Sequence, residues 1–100
     1  MLEKMTEAEP RSTSSVEATI FIKNELGLHA RPAARLAHAA QQFDAQITLE
    51  YEGMTADAKS ILDILSLAAG KGASLTLRCH GEDAALAVEA ITEVFSGVER

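Results

Sequence analysis

The sequence predicts an α+β fold, a two-layer sandwich in which one sheet carries its helices on a single face. Segments of alternating polarity and segments of helical spacing follow the order strand, helix, strand, strand, helix, strand, helix. These elements occupy about 85 residues, so their connections must be short. The outward positions of the strands are mostly Thr, Glu, Gln and Arg, with Phe21 as the exception, which indicates a second sheet face open to solvent.

The composition is that of one small domain with few large side chains. Hydrophobic residues form 47% of the 100 residues but aromatic ones only 4%, so Ala, Leu, Ile and Val must build most of the core. The net charge of −6 argues against nucleic acid or an anionic membrane as the main partner. A single cysteine excludes an internal disulfide and is typical of a reducing compartment. Neither a secretion signal nor an apolar run near the roughly 18 residues of a membrane span is present, so we expect a cytoplasmic protein without membrane insertion.

Residues 1–14 predict a disordered tail, because their charges, Pro10 and a serine-rich run show no apolar period. The folded domain is predicted over residues 15–98. Its first strand covers residues 16–23, where apolar side chains occupy every second position. The residues on that apolar face are Val16, Ala18, Ile20 and Ile22.

The loop Asn24–Gly27 leads to a helix that is expected to begin near Ala30, with His29 close to its N-cap. The glycine of this loop can take a positive φ, and Pro32 is tolerated in a first helical turn. The helix is expected to end over residues 41–44. Its buried stripe is predicted to consist of Ala33, Leu36, Ala37 and Ala40.

The remaining elements are predicted in chain order as strands over 45–52, 54–57 and 74–80 and helices over 60–69 and 83–96. Glu52-Gly53 indicates a hairpin, and the short strand after it suits a sheet edge. Gly70-Lys71-Gly72 and Gly97 are expected to end the two helices, and Asp83 is expected to cap the second of them. The inward residues are predicted to be Ile47, Leu49, Tyr51, Leu75, Leu77, Cys79, Ala84, Ala87, Val88, Ile91, Val94 and Phe95.

A histidine at the start of the first helix is the feature that points to chemistry. A helix N-terminus offers unpaired N–H groups and a partial positive charge, which together favour phosphate. The His29 imidazole can accept a phosphoryl group there, and the Arg31 guanidinium can hold it by charge pairing. A histidine that only caps the helix fits the same spacing, so the residues alone leave both interpretations open.

Ser60 opens a segment, Ser60-Ile61-Leu62-Asp63, that has the form of a capping box, so it is expected to close the N-terminus of the second predicted helix. This helix is apolar on more than one side. The residues expected to face the sheet are Ile64, Leu67 and Ala68. The residues expected to stay partly exposed are Ile61, Leu62 and Leu65.

Exposed apolar residues near a reactive side chain predict a docking surface, with a short helix that is more fully buried as the alternative. Arg31 and Arg35 lie one helical turn apart, and Lys59 directly precedes the second helix. These three cations are expected to form a basic rim around the apolar surface, suited to acidic partners.

No other residue indicates a site. His38 and His80 are expected to be ordinary surface residues, because no second ligand stands at a spacing useful for a metal. Cys79 is expected to be a small core residue. We therefore expect neither a metal nor a cofactor.

Two motifs carry a family resemblance. Gly27-Leu28-His29-Ala30-Arg31-Pro32-Ala33 resembles the phosphorylation-site signature of HPr, the histidine-containing phosphocarrier of the bacterial phosphotransferase system. Lys59-Ser60-Ile61, followed by Leu65-Ser66-Leu67, resembles the second signature of that family. The resemblance covers about residues 15–95 with every element in register. It implies an open-faced sandwich with a four-stranded antiparallel sheet in the order 1-4-2-3.

The resemblance also implies roles for individual residues. His29 would take phosphate on Nδ1 from phosphorylated Enzyme I and pass it to a IIA protein or domain, with Arg31 pairing to the phosphate. Ser60 corresponds to a serine that an HPr kinase/phosphorylase modifies in many members. Asn24-Glu25-Leu26-Gly27 looks more like the nitrogen-type branch, or the HPr of non-enteric proteobacteria, than the enteric sugar-type loop. A monomeric carrier, rather than a free-standing turnover enzyme, is expected.

Two other functions remain open at the level of sequence. The first is a regulatory interaction protein, in which phosphorylation of Ser60 creates a binding surface and His29 is secondary. The second is a small-molecule-binding α+β domain without phosphoryl chemistry. The pathway served, of sugar or nitrogen type, and the final acceptor do not follow from the sequence.

Overall fold

The computed structural model places four strands and three helices within residues 14–98, the part of the chain that it describes. In chain order the elements are β1 (Ser15–Phe21), α1 (Ala30–Ala40), β2 (Gln46–Tyr51), β3 (Met54–Asp57), α2 (Ile61–Ser66), β4 (Ser74–His80) and α3 (Ala84–Val98). The predicted order of elements is confirmed. The predicted disordered tail, apart from Ser14, lies outside the described residues.

The four strands form one antiparallel sheet in the order β1-β4-β2-β3, as the resemblance implied. β4 lies between β1 and β2, and its inward residue Leu77 faces Ala18 on one side and Leu49 on the other. β3 pairs only with β2, which confirms its predicted place at the sheet edge.

One face of this sheet forms the core, and the side chains along each strand alternate between buried and accessible. The predicted stripe of α1 is fully buried, with Pro32 added to it. Among the inward residues, Tyr51, Val88 and Val94 are only half-buried. On the open face Arg78 bridges two neighbouring strands, with its guanidinium 2.6 Å from the Glu17 carboxylate and 3.2 Å from that of Glu50.

α2 is shorter than predicted, because it ends at Ser66 with Leu67 as its C-cap. Ala68 then takes a φ of +53° and is exposed, so the prediction that it faces the sheet is wrong. This residue turns the chain toward Ala69, whose carbonyl accepts a hydrogen bond from the Leu28 N–H at 2.9 Å. α3 also differs, since it continues through Gly97, the predicted stop, to its last residue Val98. No helix among the described residues has both the length and the apolar character needed to cross a bilayer.

The Asp83 side chain does not serve mainly as the predicted helix cap. Its carboxylate accepts hydrogen bonds from the N–H groups of Asp44 and Ala45, each at 2.9 Å, and so joins the loop after α1 to the turn before α3. The bond from Asp44 lowers the pKa of the Asp83 carboxyl below its ordinary value, and the bond from Ala45 and the charge of Lys59 act in the same direction.

Asp83→Asn is expected to destabilise the protein at neutral pH and to lose this effect in acid. The folded-state pKa of Asp83 lies below the unfolded value of about 3.9, so the carboxylate stabilises the fold above that value. The stabilisation is lost as the pH falls through the folded-state pKa. Urea unfolding of both proteins from about pH 7 to about pH 3 should therefore give curves that converge toward acid pH. A gap that stays constant over this range would contradict the assignment.

Candidate functional site

His29 occupies the N-cap of α1, as predicted, with extended backbone angles of φ −99° and ψ −168°. Its half-buried side chain makes no capping hydrogen bond, so the alternative of a histidine that only caps the helix has no support. The first helical bond is instead made by the backbone, from the Ala33 N–H to the His29 carbonyl at 3.0 Å. The imidazole is therefore left available for chemistry.

The first turn of α1 presents backbone donors beside this imidazole. Within residues 14–98 the N–H groups of Ala30 and Arg31 have no hydrogen-bond partner, and Pro32 has no N–H to place there. The Arg31 guanidinium is exposed and forms no ion pair with a described residue. An anion held next to His29 would meet two N–H dipoles, the positive end of the helix and one guanidinium.

A tight turn over residues 24–28, which we call the His29 turn, directly precedes His29 and so sets where the histidine enters the helix. Gly27 takes a φ of +70°, and its N–H donates to the Asn24 carbonyl at 3.1 Å. The Asn24 side-chain amide donates back to the Gly27 carbonyl at 2.8 Å, and the His29 N–H donates to that same carbonyl at 3.0 Å. The backbone position of His29 is thus fixed through the peptide groups of Gly27.

The His29 turn packs against the connection between α2 and β4. A Cβ atom on Gly27 would lie 2.7 Å from the Ala69 carbonyl oxygen and 2.7 Å from the Gly70 Cα. Across the same contact, the Lys71 ammonium lies 2.7 Å from the Glu25 carboxylate. The site is therefore built from two segments that are distant in the sequence.

The three predicted cations differ in their contacts. Arg35 is exposed on α1, as Arg31 is. The Lys59 ammonium instead donates to the Phe43 carbonyl at 2.7 Å, and the Lys59 carbonyl accepts from the Gln41 side chain at 2.9 Å. These contacts place Lys59 beyond the C-terminal end of α1, about 16 Å of helix away from His29. That Lys59 belongs to a basic rim around the apolar surface stays a prediction.

Ser60 is the N-cap of α2, and its hydroxyl accepts a hydrogen bond from the Asp63 N–H at 3.2 Å. The Asp63 carboxylate accepts from the Asp57 N–H at 3.3 Å, so the reciprocal bond of a full capping box is absent here. Because Lys59 contacts the end of α1 and Ala69 contacts its beginning, the two helices run in opposite directions. Ser60 and His29 therefore lie about one α1 length apart, roughly 16 Å.

Apart from Ala68, the apolar residues of the predicted second helix divide between buried and accessible positions as predicted. Ile64 and Leu67 are buried, whereas Ile61 is 41% and Leu62 79% exposed and Leu65 is half-buried. We call the last three the α2 patch. They form an accessible apolar surface on the helix that leads from Ser60 toward the His29 turn.

Leu26, which no sequence motif singled out, is 75% exposed in the His29 turn. The available signal was an apolar residue inside an otherwise polar loop, directly before a glycine. It places an exposed apolar side chain three residues before His29.

The remaining candidates behave as ordinary residues. His38 and His80 are exposed, and no cluster of three or more His, Cys, Asp or Glu suited to a metal occurs among the described residues. Cys79 is fully buried, and this burial raises the pKa of its thiol to about 11. It is therefore protonated and unreactive at neutral pH.

Comparison with known proteins gives a consistent assignment. A family model described as "PTS HPr component phosphorylation site" matches residues 16–96. The phosphocarrier protein HPr of Bacillus anthracis is 39% identical, with a TM-score of 0.76, over 82% of this chain and 98% of that one. The histidine-containing phosphocarrier protein of a Mycoplasma is 31% identical, with a TM-score of 0.81, over 83% and 94% of the two chains.

A third similar structure is the catabolite repression protein Crh of Bacillus subtilis, described as an intertwined, domain-swapped dimer. It is 34% identical, with a TM-score of 0.67, over 82% of this chain and 94% of that one. The family match extends from β1 into α3 and includes both the His29 turn and the start of α2. With the sheet order and the available histidine at the mouth of α1, these matches show that the chain belongs to the HPr family of phosphocarrier proteins of the phosphotransferase system.

Proposed function

We propose that this protein carries a phosphoryl group on His29, which it accepts from phosphorylated Enzyme I and passes to a IIA protein or domain. The observation that carries the proposal is that the His29 side chain makes no capping hydrogen bond, while the N–H groups of Ala30 and Arg31 in the turn that it opens have no partner among the described residues. Family membership supports phosphoryl transfer as the chemistry. The protein would act as a monomeric carrier in the cytoplasm.

The transfer is a displacement at phosphorus. A ring nitrogen of His29, Nδ1 by family resemblance, attacks with its lone pair, and a P–N bond forms as the bond between phosphorus and the donor breaks. The leaving group keeps that electron pair. Negative charge then lies mainly on the three equatorial oxygens. Hydrogen bonds from the N–H groups of Ala30 and Arg31 and from the Arg31 guanidinium would stabilise this charge. Transfer to the acceptor is the same displacement with phosphohistidine as the donor.

We propose that donor and acceptor dock in turn on the α2 patch, with Arg35 at its margin and Leu26 extending it toward His29. The exposure of Leu62 and Leu26 supports this surface. Arg31 and Arg35 add positive charge to a chain of net charge −6, which favours partners with acidic contact surfaces. Lys59 is engaged in internal hydrogen bonds and lies at the far end of the surface.

Incubation with Enzyme I and phosphoenolpyruvate tests the function. The intact protein is expected to gain the mass of one phosphate in an acid-labile, base-stable form. His29→Ala should abolish the gain, whereas His38→Ala and His80→Ala should retain it, because both side chains are exposed and outside the site. Absence of a mass gain with a competent cognate Enzyme I would overturn the proposal.

Leu62→Ser is expected to weaken docking while leaving the fold intact, because this side chain is 79% exposed. Truncating a central apolar contact of an interface costs about 1–2 kcal/mol, so the concentration for half-maximal phosphorylation should rise roughly 5–30-fold. Leu86→Ser, at a 62% exposed leucine of α3, is the matched control and should have no effect. Equal effects of the two substitutions would show that the α2 patch is not the docking surface.

A regulatory role through Ser60 is the second candidate. It is supported by the similarity to Crh, named as a catabolite repression protein, and by the exposed α2 patch beside Ser60. An ATP-dependent HPr kinase/phosphorylase would place a dianion about one α1 length from His29. Loss of partner binding in Ser60→Ala, with binding retained in His29→Ala, would favour regulation over carriage as the main role.

A further inference from the structure

Asn24 binds both polar backbone groups of Gly27. Its carbonyl accepts from the Gly27 N–H at 3.1 Å, and its side-chain Nδ2 donates to the Gly27 carbonyl at 2.8 Å. One residue therefore fixes the orientation of the peptide groups on either side of Gly27. Nothing in the chemistry of phosphoryl transfer described above uses this part-buried amide.

The Gly27 carbonyl has a second donor, and that donor belongs to His29. The His29 N–H approaches it at 3.0 Å, so Asn24 and His29 share one acceptor. The Asn24 amide thus holds in place the Gly27 carbonyl oxygen, which also accepts the hydrogen bond from the His29 N–H. If this carbonyl rotated away, the His29 N–H would lose its partner and the imidazole would shift relative to the N–H groups of Ala30 and Arg31.

The chemistry of the contact requires a donor at position 24. An asparagine amide supplies two N–H donors, whereas an aspartate carboxylate of the same shape only accepts and would face the carbonyl oxygen with a negative charge. Other backbone bonds hold the neighbouring residues, such as the one from the Leu28 N–H to the Ala69 carbonyl at 2.9 Å. Loss of the side-chain bond is therefore expected to loosen the turn without unfolding the domain.

We propose that Asn24 is a positioning residue for phosphoryl transfer, which acts through the Gly27 carbonyl to hold His29 in line with the donors of α1. This inference rests on the proposed function of His29. A misplacement of reacting atoms by a fraction of an ångström to 1 Å lowers rates by about 10- to 100-fold. The α2 patch, which is proposed as the main docking surface, lies outside the His29 turn, so we expect the effect on the maximal rate of transfer rather than on the half-saturating concentration.

Asn24→Ala is compared with Gln41→Ala, a matched control at the opposite end of α1. The Gln41 side-chain amide also donates to a backbone carbonyl, that of Lys59, at 2.9 Å. Asn24→Ala should lower the maximal rate of phosphorylation by Enzyme I about tenfold with an unchanged half-saturating concentration. Gln41→Ala should match the unmodified protein. Asn24→Asp should slow transfer at least as much as Asn24→Ala.

Native-state amide exchange gives a readout independent of activity. The His29 N–H should exchange about tenfold faster in Asn24→Ala than in Gln41→Ala. The proposal would be overturned if Asn24→Ala changed neither the rate of phosphorylation nor the exchange rate of the His29 N–H. It would also be overturned if only Asn24→Asp slowed phosphorylation, because the effect would then come from the negative charge. If the unmodified protein is not phosphorylated, the proposed function fails. The exchange rates then still decide whether Asn24 positions His29.

Discussion

Gly27→Ala is expected to destabilise the protein by roughly 2–5 kcal/mol and to remove most of its phosphoryl acceptance. A φ of +70° costs an L side chain about 1–2 kcal/mol. The added Cβ would also lie 2.7 Å from the Ala69 oxygen and the Gly70 Cα, which are backbone atoms and cannot rotate away. Such overpacking costs typically 1–3 kcal/mol. Relief of the contact must move the His29 turn off the connection that supports it.

Gly53→Ala separates the conformational cost of a positive φ from the cost of the steric contact. Gly53 also has a positive φ, of +82°, but a Cβ there would meet no atom within 4 Å. Its substitution should therefore show only the conformational cost of about 1–2 kcal/mol and leave phosphorylation intact. Urea unfolding and the phosphorylation assay on both variants make the comparison. Equal destabilisation by the two substitutions would show that the contact between Gly27 and residues 69–70 is not tight.

The close contact between Gly27 and residues 69–70 could not be predicted from the sequence. The loop position and the freedom of its φ follow from the residue type and its place before a helix. The close approach to Ala69 and Gly70 depends on how two distant segments pack, and no local pattern encodes it. The prediction for Ala68 is wrong for the same reason. Apolar spacing predicted that this residue faces the sheet, but the chain must turn there to bring Ala69 to Leu28.

Period and composition did predict every strand and helix, because alternation and helical spacing report directly which side chains face a core. They did not determine the order of the strands, which came from the family resemblance and is confirmed by the pairing of β4 with both β1 and β2. Asp83 shows the limit of local rules. An aspartate before a helix usually caps it, whereas here two N–H groups of a distant loop lie within reach of the carboxylate.

The candidate site likewise contains some features that local sequence patterns predict and others that depend on how distant segments pack. The position of His29 at the N-cap of α1, with Arg31 in the first turn, was predictable because helix-start signals are local to the sequence. The roles of the two residues in binding a phosphoryl group stay predictions. The contact of Lys59 with the Phe43 carbonyl was not predictable, because it depends on the antiparallel arrangement of α1 and α2. The side-chain bond of Asn24 required the turn geometry itself.

Arg31→Gln is expected to slow phosphoryl transfer roughly 100-fold at saturating donor, because loss of one hydrogen-bond donor to a developing oxyanion costs about 10²- to 10³-fold. The neutral glutamine amide restores only part of this loss. The thermal midpoint should not change, since the Arg31 guanidinium is exposed and pairs with no described residue. The unmodified protein and the variant are compared by the initial rate of phosphate incorporation over a range of concentrations.

Substitution of two other cations, Arg35 and Lys23, shows whether Arg31 acts on the transfer step or on docking. Arg35→Gln removes a charge one turn away and should raise the half-saturating concentration with little change in the maximal rate, because Arg35 is proposed to contact partners rather than the phosphoryl group. Lys23→Gln removes an exposed charge after β1 and should change neither quantity. If all three substitutions raised only the half-saturating concentration, and to the same extent, Arg31 would act through general attraction of an acidic partner. A fall in the maximal rate confined to Arg31→Gln would instead place its guanidinium on the phosphoryl oxygens during transfer.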